Sequence, residues 1–221
     1  MRKVMVGTPA HDGRVDVRYA DSLVNTIKVC AHYDADVIPV YLSYDALVQR
    51  ARNDLVRLAV ESDVADLVFI DSDQVWSPTA FLRLLAHDVD VVGLAVRKKD
   101  DEETYNVKVR DGNIPIDTNT GLWMPESVGT GFLRLSRAAF TALWDNSTEY
   151  EDNGRTSRLV FNVGVIDGKL WGEDTVMTAK LSRLGFQTFL DPAFTVSHVG
   201  VKMYEGGNFQ EWVERHGPEQ D

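Results

Sequence analysis

Two aspartates follow a short apolar stretch and could hold a metal ion. Asp71 and Asp73 flank Ser72 in the segment VFIDSDQVW. In extended backbone, residues i and i+2 point to the same side, so the carboxylates converge if strand geometry persists past Ile70. Carboxylates that lie close together repel unless a cation meets them, and oxygen ligands favour Mg²⁺ or Mn²⁺. The same pair would need no metal if one aspartate capped the next turn and the other were exposed to solvent.

Three other segments carry side chains that could belong to such a site. His198 lies in the alternating segment TVSHVG, where a structural histidine would also be ordinary. Glu173 and Asp174 begin a predicted helix, where acids also stabilise the helix dipole by about 0.3–1 kcal/mol. The segment RARNDL lies on a predicted helix. The polar face of that helix carries Arg50, Asn53 and Arg57, and exposure to solvent alone could explain it.

The chain up to residue 96 predicts alternating strands and helices that would position these residues. Apolar runs predict strands over 3–8, 36–42, 65–70 and 88–96, and helical spacing predicts helices over 17–33, 46–61 and 78–86. Pro39 places the second strand near an edge of the sheet. This alternation predicts a mostly parallel sheet covered on both faces, with ligands beyond the carboxyl ends of the strands. Asp71 and Asp73 lie at one such end.

The pattern changes after residue 96. The polar segment 97–121 contains a DGN turn at 111–113 and predicts a small antiparallel insertion. A strand over 128–136, a helix over 137–144 and a mobile loop over 145–158 follow. A helix over 173–184 ends before Gly185, and two short strands occupy 186–190 and 194–200. The fold class predicted is α/β, in a single domain.

Composition limits the classes of function. The 221 residues carry a formal net charge of −11, which argues against a general nucleic-acid clamp but leaves room for a local basic groove. The single cysteine, Cys30, excludes an intrachain disulfide and suits a reducing compartment. The N-terminal segment lacks the apolar region of a signal peptide, and no run is long enough to cross a bilayer. We therefore expect a cytoplasmic protein without membrane contact.

The order of these motifs resembles that of GT-A glycosyltransferases, including small bacteriophage-encoded ones. The last of the matching segments is the most specific, and together they span nearly the whole chain: GTPAHDG, RARNDLV, VFIDSDQVW, VGTGFLRLSRAAF and WGEDTVMTAKLSRLGFQTFLDPAFTVSHVG. The resemblance implies one GT-A domain over 1–221, with a Rossmann-like donor-binding half over about 1–96. Residues 97–221 would then close the acceptor and metal sites. A phage-encoded protein would act in the host cytoplasm.

The resemblance also implies an activity. Such enzymes move a sugar from a nucleoside diphosphate sugar, here a UDP-sugar by preference, to an acceptor hydroxyl with the help of Mn²⁺ or Mg²⁺. By analogy, Asp73 is a direct metal ligand, Asp71 reaches the ribose or a metal-bound water, and His198 completes the metal shell. A nitrogen ligand beside oxygens favours Mn²⁺ modestly.

Donor contacts follow from the same analogy. Arg52 and Asn53 match a pair near the base or diphosphate, although helical geometry sets them about 100° apart. Thr130 and Gly131 match a segment that lines the donor sugar, where small residues allow close approach of backbone. The remaining donor-binding residues implied are Thr8, Pro9 and Ala10 at the nucleobase, Asp71, Ser72 and Asp73 at the metal and ribose, and Lys202 at the diphosphate.

The acidic pair Glu173 and Asp174 is the implied catalytic element. In inverting members the aspartate is the general base on the acceptor hydroxyl, and we favour that role for Asp174. In retaining members the carboxylates orient the acceptor instead. Trp171 would stack on an acceptor ring or else belong to the core.

The acceptor stays open among a modified pyrimidine in phage DNA, a virion protein and a surface glycan. A hydroxymethylated pyrimidine would require contacts to DNA phosphates. Basic residues that could supply them, or simply form a solvated loop, are Arg97, Lys98, Lys99, Lys108 and Arg110. The sequence does not indicate an oligomeric state.

Two other functions compete with this interpretation. A nucleotidyltransferase also uses paired acids and a metal, but GTPAHDGR lacks the glycine-rich loop expected there. A non-catalytic virion protein that binds a sugar or nucleotide is the second alternative. The simultaneous presence of the two aspartates, the acidic pair Glu173 and Asp174, and His198 counts against it.

Overall fold

A central eight-stranded sheet forms the core of the molecule in a computed structural model, which describes residues 1–109, 114–152, 154–200 and 202–216. In chain order the strands are β1 (Arg2–Ala10), β2 (Ala35–Ser43), β3 (Asp66–Ile70), β4 (Gln74–Val75), β5 (Val91–Val96), β6 (Val107–Lys108), β7 (Ser127–Val128), β8 (Phe132–Ser136), β9 (Glu149–Asp152), β10 (Arg155–Arg158), β11 (Gly164–Ile166), β12 (Lys169–Trp171), β13 (Thr188–Val199) and β14 (Met203–Tyr204). The helices are α1 (Val17–Cys30), α2 (Val48–Glu61), α3 (Pro78–Ala86), α4 (Arg137–Asp145), α5 (Glu173–Arg183) and α6 (Phe209–His216), with a 3-10 turn at Ala31–Tyr33.

The central sheet is mostly parallel, which confirms the predicted fold class. Its strand order is β14-β13-β5-β8-β3-β1-β2, and β4 pairs with the end of β13. Strand β8 runs antiparallel between β3 and β5, whereas β2, β1 and β3 are parallel to one another and β5 is parallel to β13. Within the described residues, β2 lies at the edge, as Pro39 predicted. Three two-stranded antiparallel sheets, β6/β7, β9/β10 and β11/β12, surround it.

Both faces of the sheet are covered because its inner strands are apolar on both sides. In β3, Val68 and Ile70 pack on the face that carries α1 and α3, while Leu67 and Phe69 pack on the face that carries α2 and α4. This alternation explains why the predicted strand was an unbroken apolar run. A third, mainly aromatic cluster attaches α6 to the sheet and includes Tyr105, Trp123, Phe209 and Trp212.

Several element predictions need correction. Segment 145–158, predicted as a mobile loop, contains the hairpin β9/β10, which occupies it from Glu149 onward; residue 153 is not described. The two late strands are one strand, β13, whose register with β5 shifts between Asp191 and Thr195. The first helix ends at Cys30, and the strand predicted from 128 begins at Phe132.

The predicted insertion is less regular than expected. Within 97–121, the short strand β6 pairs with β7, and isolated bridges join Arg97 to Tyr105 and Ile116 to Trp123. The predicted turn at 111–113 lies outside the described residues. The hairpin β11/β12 and helix α6 were not predicted. No helix in the described part of the chain is both long and apolar enough to cross a bilayer.

Candidate functional site

The candidate site lies where β3 ends, at the carboxyl edge of the central sheet. The chain turns immediately after Ile70, because the Gln74 amide donates to the Asp71 carbonyl at 3.1 Å. Strand geometry therefore does not persist past Ile70, and the i, i+2 argument does not apply to Asp71 and Asp73. The two carboxylates instead meet different partners.

Asp73 meets His198. Strand β4 pairs with β13 in a register that sets Gln74 opposite His198, and the Val199 amide donates to the Asp73 carbonyl at 2.8 Å. This pairing brings Nε2 of His198 within 3.2 Å of Oδ1 of Asp73. Residues from mid-chain and from near the C-terminus of the described chain thus meet at the sheet edge, as the order of motifs implied.

The other oxygen of Asp73 is also paired. Nζ of Lys99 lies 2.5 Å from Oδ2. Burial alone would raise the pKa of the Asp73 carboxyl, but hydrogen bonds from His198 and Lys99 outweigh burial and hold that pKa below its ordinary value. Asp73 is therefore a carboxylate at neutral pH.

The orientation of the His198 ring is fixed from behind. Nδ1 donates to the carbonyl oxygen of Arg97 at 3.0 Å, so a neutral ring has its lone pair on Nε2, facing Asp73. A lone pair and a carboxylate oxygen attract each other only when a proton or a cation lies between them. A backbone carbonyl behind a ligating histidine is a frequent arrangement in metal sites.

The spacing of these donors fits a divalent cation. Ligands that occupy adjacent corners of an octahedron, each about 2.1 Å from the ion, lie about 3 Å apart. The 3.2 Å between Asp73 and His198 matches that separation. No three His, Cys, Asp or Glu side chains gather closely enough to hold a metal among the described residues. An ion bound here would therefore take its remaining ligands from water and from the substrate.

Asp71 belongs to a second cluster, which is built around Arg52. The guanidinium is 4% exposed and donates to Oδ1 of Asp71 at 2.9 Å and to Oε1 of Glu173 at 2.7 Å. Burial would lower the pKa of Arg52, but the charges of Asp71 and Glu173, with a smaller contribution from Asp174, outweigh burial and raise it. A single buried cation thus ties the end of β3 to the start of α5.

Asp174 occupies the first turn of α5. The helix begins after Gly172, which has no side chain to cap it, and Oδ1 of Asp174 accepts from the Thr175 amide at 2.8 Å. The carboxylate is half-buried, and among the described residues its hydrogen bond to the Thr175 amide engages only Oδ1. The acid therefore has one oxygen engaged by the helix and one available to a ligand.

Thr130 and Gly131 lie beneath the first aspartate. The Gly131 carbonyl accepts from the Asp71 amide at 3.2 Å, and a Cβ at Gly131 would lie 3.1 Å from Oδ2 of Asp71. A side chain at this position would crowd the carboxylate, so glycine favours close approach, but the group that approaches is Asp71. Thr130 is buried.

Two predicted donor-binding residues are occupied by structural contacts. The Thr8 hydroxyl is buried and lies 2.5 Å from the Tyr19 hydroxyl. Asn53 is 1% exposed, and its amide group accepts from the Phe161 amide at 2.7 Å and donates to the Phe161 carbonyl at 3.2 Å. These contacts leave neither side chain free for a nucleotide.

The other residues of the predicted base site end the first strand. Pro9 and Ala10 belong to the end of β1 and not to a turn after it. The carbonyl of Ser72 accepts from the Asp16 amide at 2.9 Å, which places the start of α1 beside the turn. Asp16 was not predicted as a site residue, and its only sequence signal is its position before a helix.

Lys202 and Arg97 are both engaged in contacts within the protein. Lys202 forms an ion pair with Asp101, and both side chains are exposed. Arg97 is buried and donates to the carbonyls of Lys98, Asp100 and Thr104. Arg97 therefore does not contribute to a basic surface, and Arg110 lies outside the described residues.

Trp171 is half-buried at the end of β12. Its Nε1 donates to the Ile166 carbonyl at 3.2 Å, and Nζ of Lys108 lies 3.9 Å from the ring centroid. One face of the ring is therefore covered by a cation. Beside it, a cavity of about 440 Å³ runs along α5 and is lined in part by Thr175, Thr178 and Arg183. The cavity borders the helix that carries Glu173 and Asp174.

Comparisons with known proteins show the fold. No protein-family model matches the chain, and no curated protein matches it in sequence. The crystal structure of A197 from STIV matches with a TM-score of 0.59 and 16% identity over 94% of this chain and 95% of that one. This chain therefore shares its mixed α/β fold with A197 over most of both chains.

Transferases also occur among the solved structures that are similar. A glycosyltransferase involved in the glycosylation of the major capsid of PBCV-1 matches with a TM-score of 0.36 and 10% identity, over 64% of this chain and 63% of that one. The inositol-1-phosphate CTP transferase from T. maritima matches with a TM-score of 0.44 and 9% identity, over 90% of this chain and 89% of that one.

Proposed function

We propose that this protein is a glycosyltransferase that uses a nucleoside diphosphate sugar and a divalent cation, Mn²⁺ in preference to Mg²⁺. One observation carries the proposal: Nε2 of His198, fixed by the Arg97 carbonyl, faces Oδ1 of Asp73 at 3.2 Å. A divalent cation held by these two side chains would take the place of the proton that otherwise joins them, and Mn²⁺ accepts both nitrogen and oxygen ligands. When bound, it would stabilise negative charge on a departing nucleoside diphosphate as a Lewis acid.

Two buried polar atoms without partners support a ligand at this edge. Nε of Arg52 and Oε1 of Gln74 have no hydrogen bond among the described residues, and both residues adjoin the aspartates. Six buried side-chain atoms lack a partner among the described residues, and these are the two that adjoin the aspartates, where a bound group or water could pair with them. We assign Asp71 to the ribose side of the donor, with Arg52 as the residue that holds it in place.

Asp174 is the residue we assign as general base in an inverting transfer. Arg52 fixes Glu173 and thereby the first turn of α5, which positions the neighbouring Asp174. The acceptor hydroxyl would then come from the side of Trp171 and the cavity along α5. Acceptors to be tested are glycans, a virion protein and hydroxymethylated pyrimidines in DNA, and a UDP-sugar is the first donor to be tested.

The proposal is tested by thermal melting with a panel of nucleoside diphosphates and their sugars, with and without Mn²⁺. A ligand at a hundredfold excess over its Kd should stabilise the protein by about 2.7 kcal/mol. We expect stabilisation only when nucleotide and Mn²⁺ are both present, and its loss in Asp73→Asn. The matched control is Asp63→Asn, which alters an exposed aspartate before β3.

Product analysis separates the competing functions. A glycosyltransferase should slowly hydrolyse its nucleotide sugar when Mn²⁺ is present, and Asp174→Asn should reduce turnover more than donor affinity. A nucleotidyltransferase would instead release pyrophosphate from a nucleoside triphosphate and a sugar 1-phosphate. A binding protein would show stabilisation without turnover. Failure of every nucleotide to bind would overturn the proposal.

A further inference from the structure

Lys99 holds the second oxygen of the carboxylate to which the proposed cation would bind. Its Nζ contacts Oδ2 of Asp73 at 2.5 Å, while His198 contacts Oδ1. The carboxylate therefore has a positive or hydrogen-bonding partner on each oxygen. Lys99 lies in the polar segment after β5, and no local sequence pattern distinguishes it from its neighbour Lys98.

The Lys99 side chain is placed to remain near the site after leaving Asp73. Its stem passes over the turn after β13, where a Cβ at Gly200 would lie 3.4 Å from Cδ of Lys99. The side chain is 40% exposed, so its ammonium can move into solvent or onto a ligand. Lys202, to which the resemblance assigned the diphosphate, is instead paired with Asp101.

We propose that Lys99 is a resident counter-ion of Asp73 that gives way to the divalent cation and then binds a phosphate oxygen of the donor. This inference rests on the proposed function. An ammonium and a divalent cation repel when they share one carboxylate, so each weakens the binding of the other although they meet different oxygens of Asp73. A donor diphosphate brings new negative charge to the same place, and the displaced ammonium becomes its partner. Lys99 thus disfavours the metal alone and favours the metal with its nucleotide.

The test measures Mn²⁺ binding by electron paramagnetic resonance, first without any nucleotide. Removal of the repelling ammonium in Lys99→Met should tighten Mn²⁺ binding about three- to fivefold, as expected for loss of one partly exposed ion pair. Lys98→Met is the matched control, because it removes an exposed neighbouring ammonium, and it should change the affinity less than about twofold. Lys99→Arg keeps the charge and should stay close to wild type.

The same variants are then titrated with the nucleoside diphosphate that binds the wild type, at saturating Mn²⁺. We expect Lys99→Met to bind it at least about threefold more weakly, whereas Lys98→Met should bind it like the wild type. Tighter binding of Mn²⁺ alone together with weaker binding of the nucleotide would show that Lys99 leaves Asp73 for the donor phosphate. A thermal melt of each variant confirms that the fold is intact.

Three results would overturn the inference. Lys99→Met could bind Mn²⁺ no more tightly than the wild type, or it could bind the Mn²⁺-nucleotide complex equally well. The wild type could also bind nucleotide without any metal and lose it in Lys99→Met, which would make the lysine a permanent substitute for the cation. Absence of both Mn²⁺ and nucleotide binding in the wild type would instead refute the proposed function itself.

Discussion

Replacement of Arg52 by methionine should strongly destabilise the protein. The guanidinium is 4% exposed and lies between Asp71 and Glu173, at 2.9 and 2.7 Å. Methionine fills a similar volume with an unbranched apolar chain, so the main change is the loss of charge and hydrogen bonds. Asp71 and Glu173 would then face each other without the cation that joins them.

The structure sets the size of the effect. Removal of one partner from a buried ion pair costs about 3–5 kcal/mol, because the remaining charge is left uncompensated. The side chains of Asp71 and Glu173 are 32% and 21% exposed, so water can solvate part of their charge. We therefore expect a loss of about 3 kcal/mol, which corresponds to a fall in Tm of about 6–12 °C for a chain of this length.

Urea denaturation followed by circular dichroism measures this loss. Arg50→Met is the matched control, because Arg50 lies on the same helix with a 38% exposed side chain and should cost less than about 1 kcal/mol. The double variant Arg52→Met/Glu173→Gln should recover part of the stability by removing one unpaired charge. A loss below about 1 kcal/mol in Arg52→Met would refute the assignment of Arg52 as the link between the two motifs.

Three further predictions concern stability. Asn53→Ala leaves the amide and carbonyl of Phe161 unpaired in the interior and should cost about 2–4 kcal/mol in denaturation, and a cost below about 1 kcal/mol would contradict a structural role. Burial would raise the pKa of Asp191, but its histidine and arginine partners outweigh burial and lower that pKa from 3.8. Its contribution to stability is thus present above pH 3.8 and is lost as the pH falls through the lower folded value, so Asp191→Asn should flatten the acid limb of a stability–pH curve. Lys108→Met should cost about 0.5–1 kcal/mol through the lost contact with Trp171, and a double-mutant cycle with Trp171→Leu, which removes the aromatic face, checks that the two residues are coupled.

The sheet was predictable because its inner strands are apolar on both faces. Runs such as DLVFI and VVGLAV need no tertiary information to be recognised. The hairpin β9/β10 was missed because its residues are polar and only Ser157 is buried among its residues that the structure describes. Helix α6 carried a detectable signal, the three-residue spacing of Phe209 and Trp212, which form its buried face.

The site was predictable only in part. Helical geometry anticipated that Arg52 and Asn53 point in different directions, and they do: Arg52 meets carboxylates and Asn53 meets the backbone of Phe161. The order of motifs anticipated the meeting of Asp73 and His198. The contact of Lys99 with Asp73 could not be anticipated, because it depends on the path of the chain after β5 and on no local spacing.

The break in β13 explains how His198 reaches Asp73. Alternate residues of a strand face opposite sides, so a slip of one residue before His198 would turn its ring away from the aspartate. The register shift between Asp191 and Thr195 sets that parity, and Pro192, which donates no hydrogen bond, lies within it. Asp191 holds the start of the shift by accepting from the Ala193 amide at 3.0 Å and from two side chains of the α3 region. The segment DPA, which in the sequence divides two strands, is therefore the element that sets the register of the histidine beyond it.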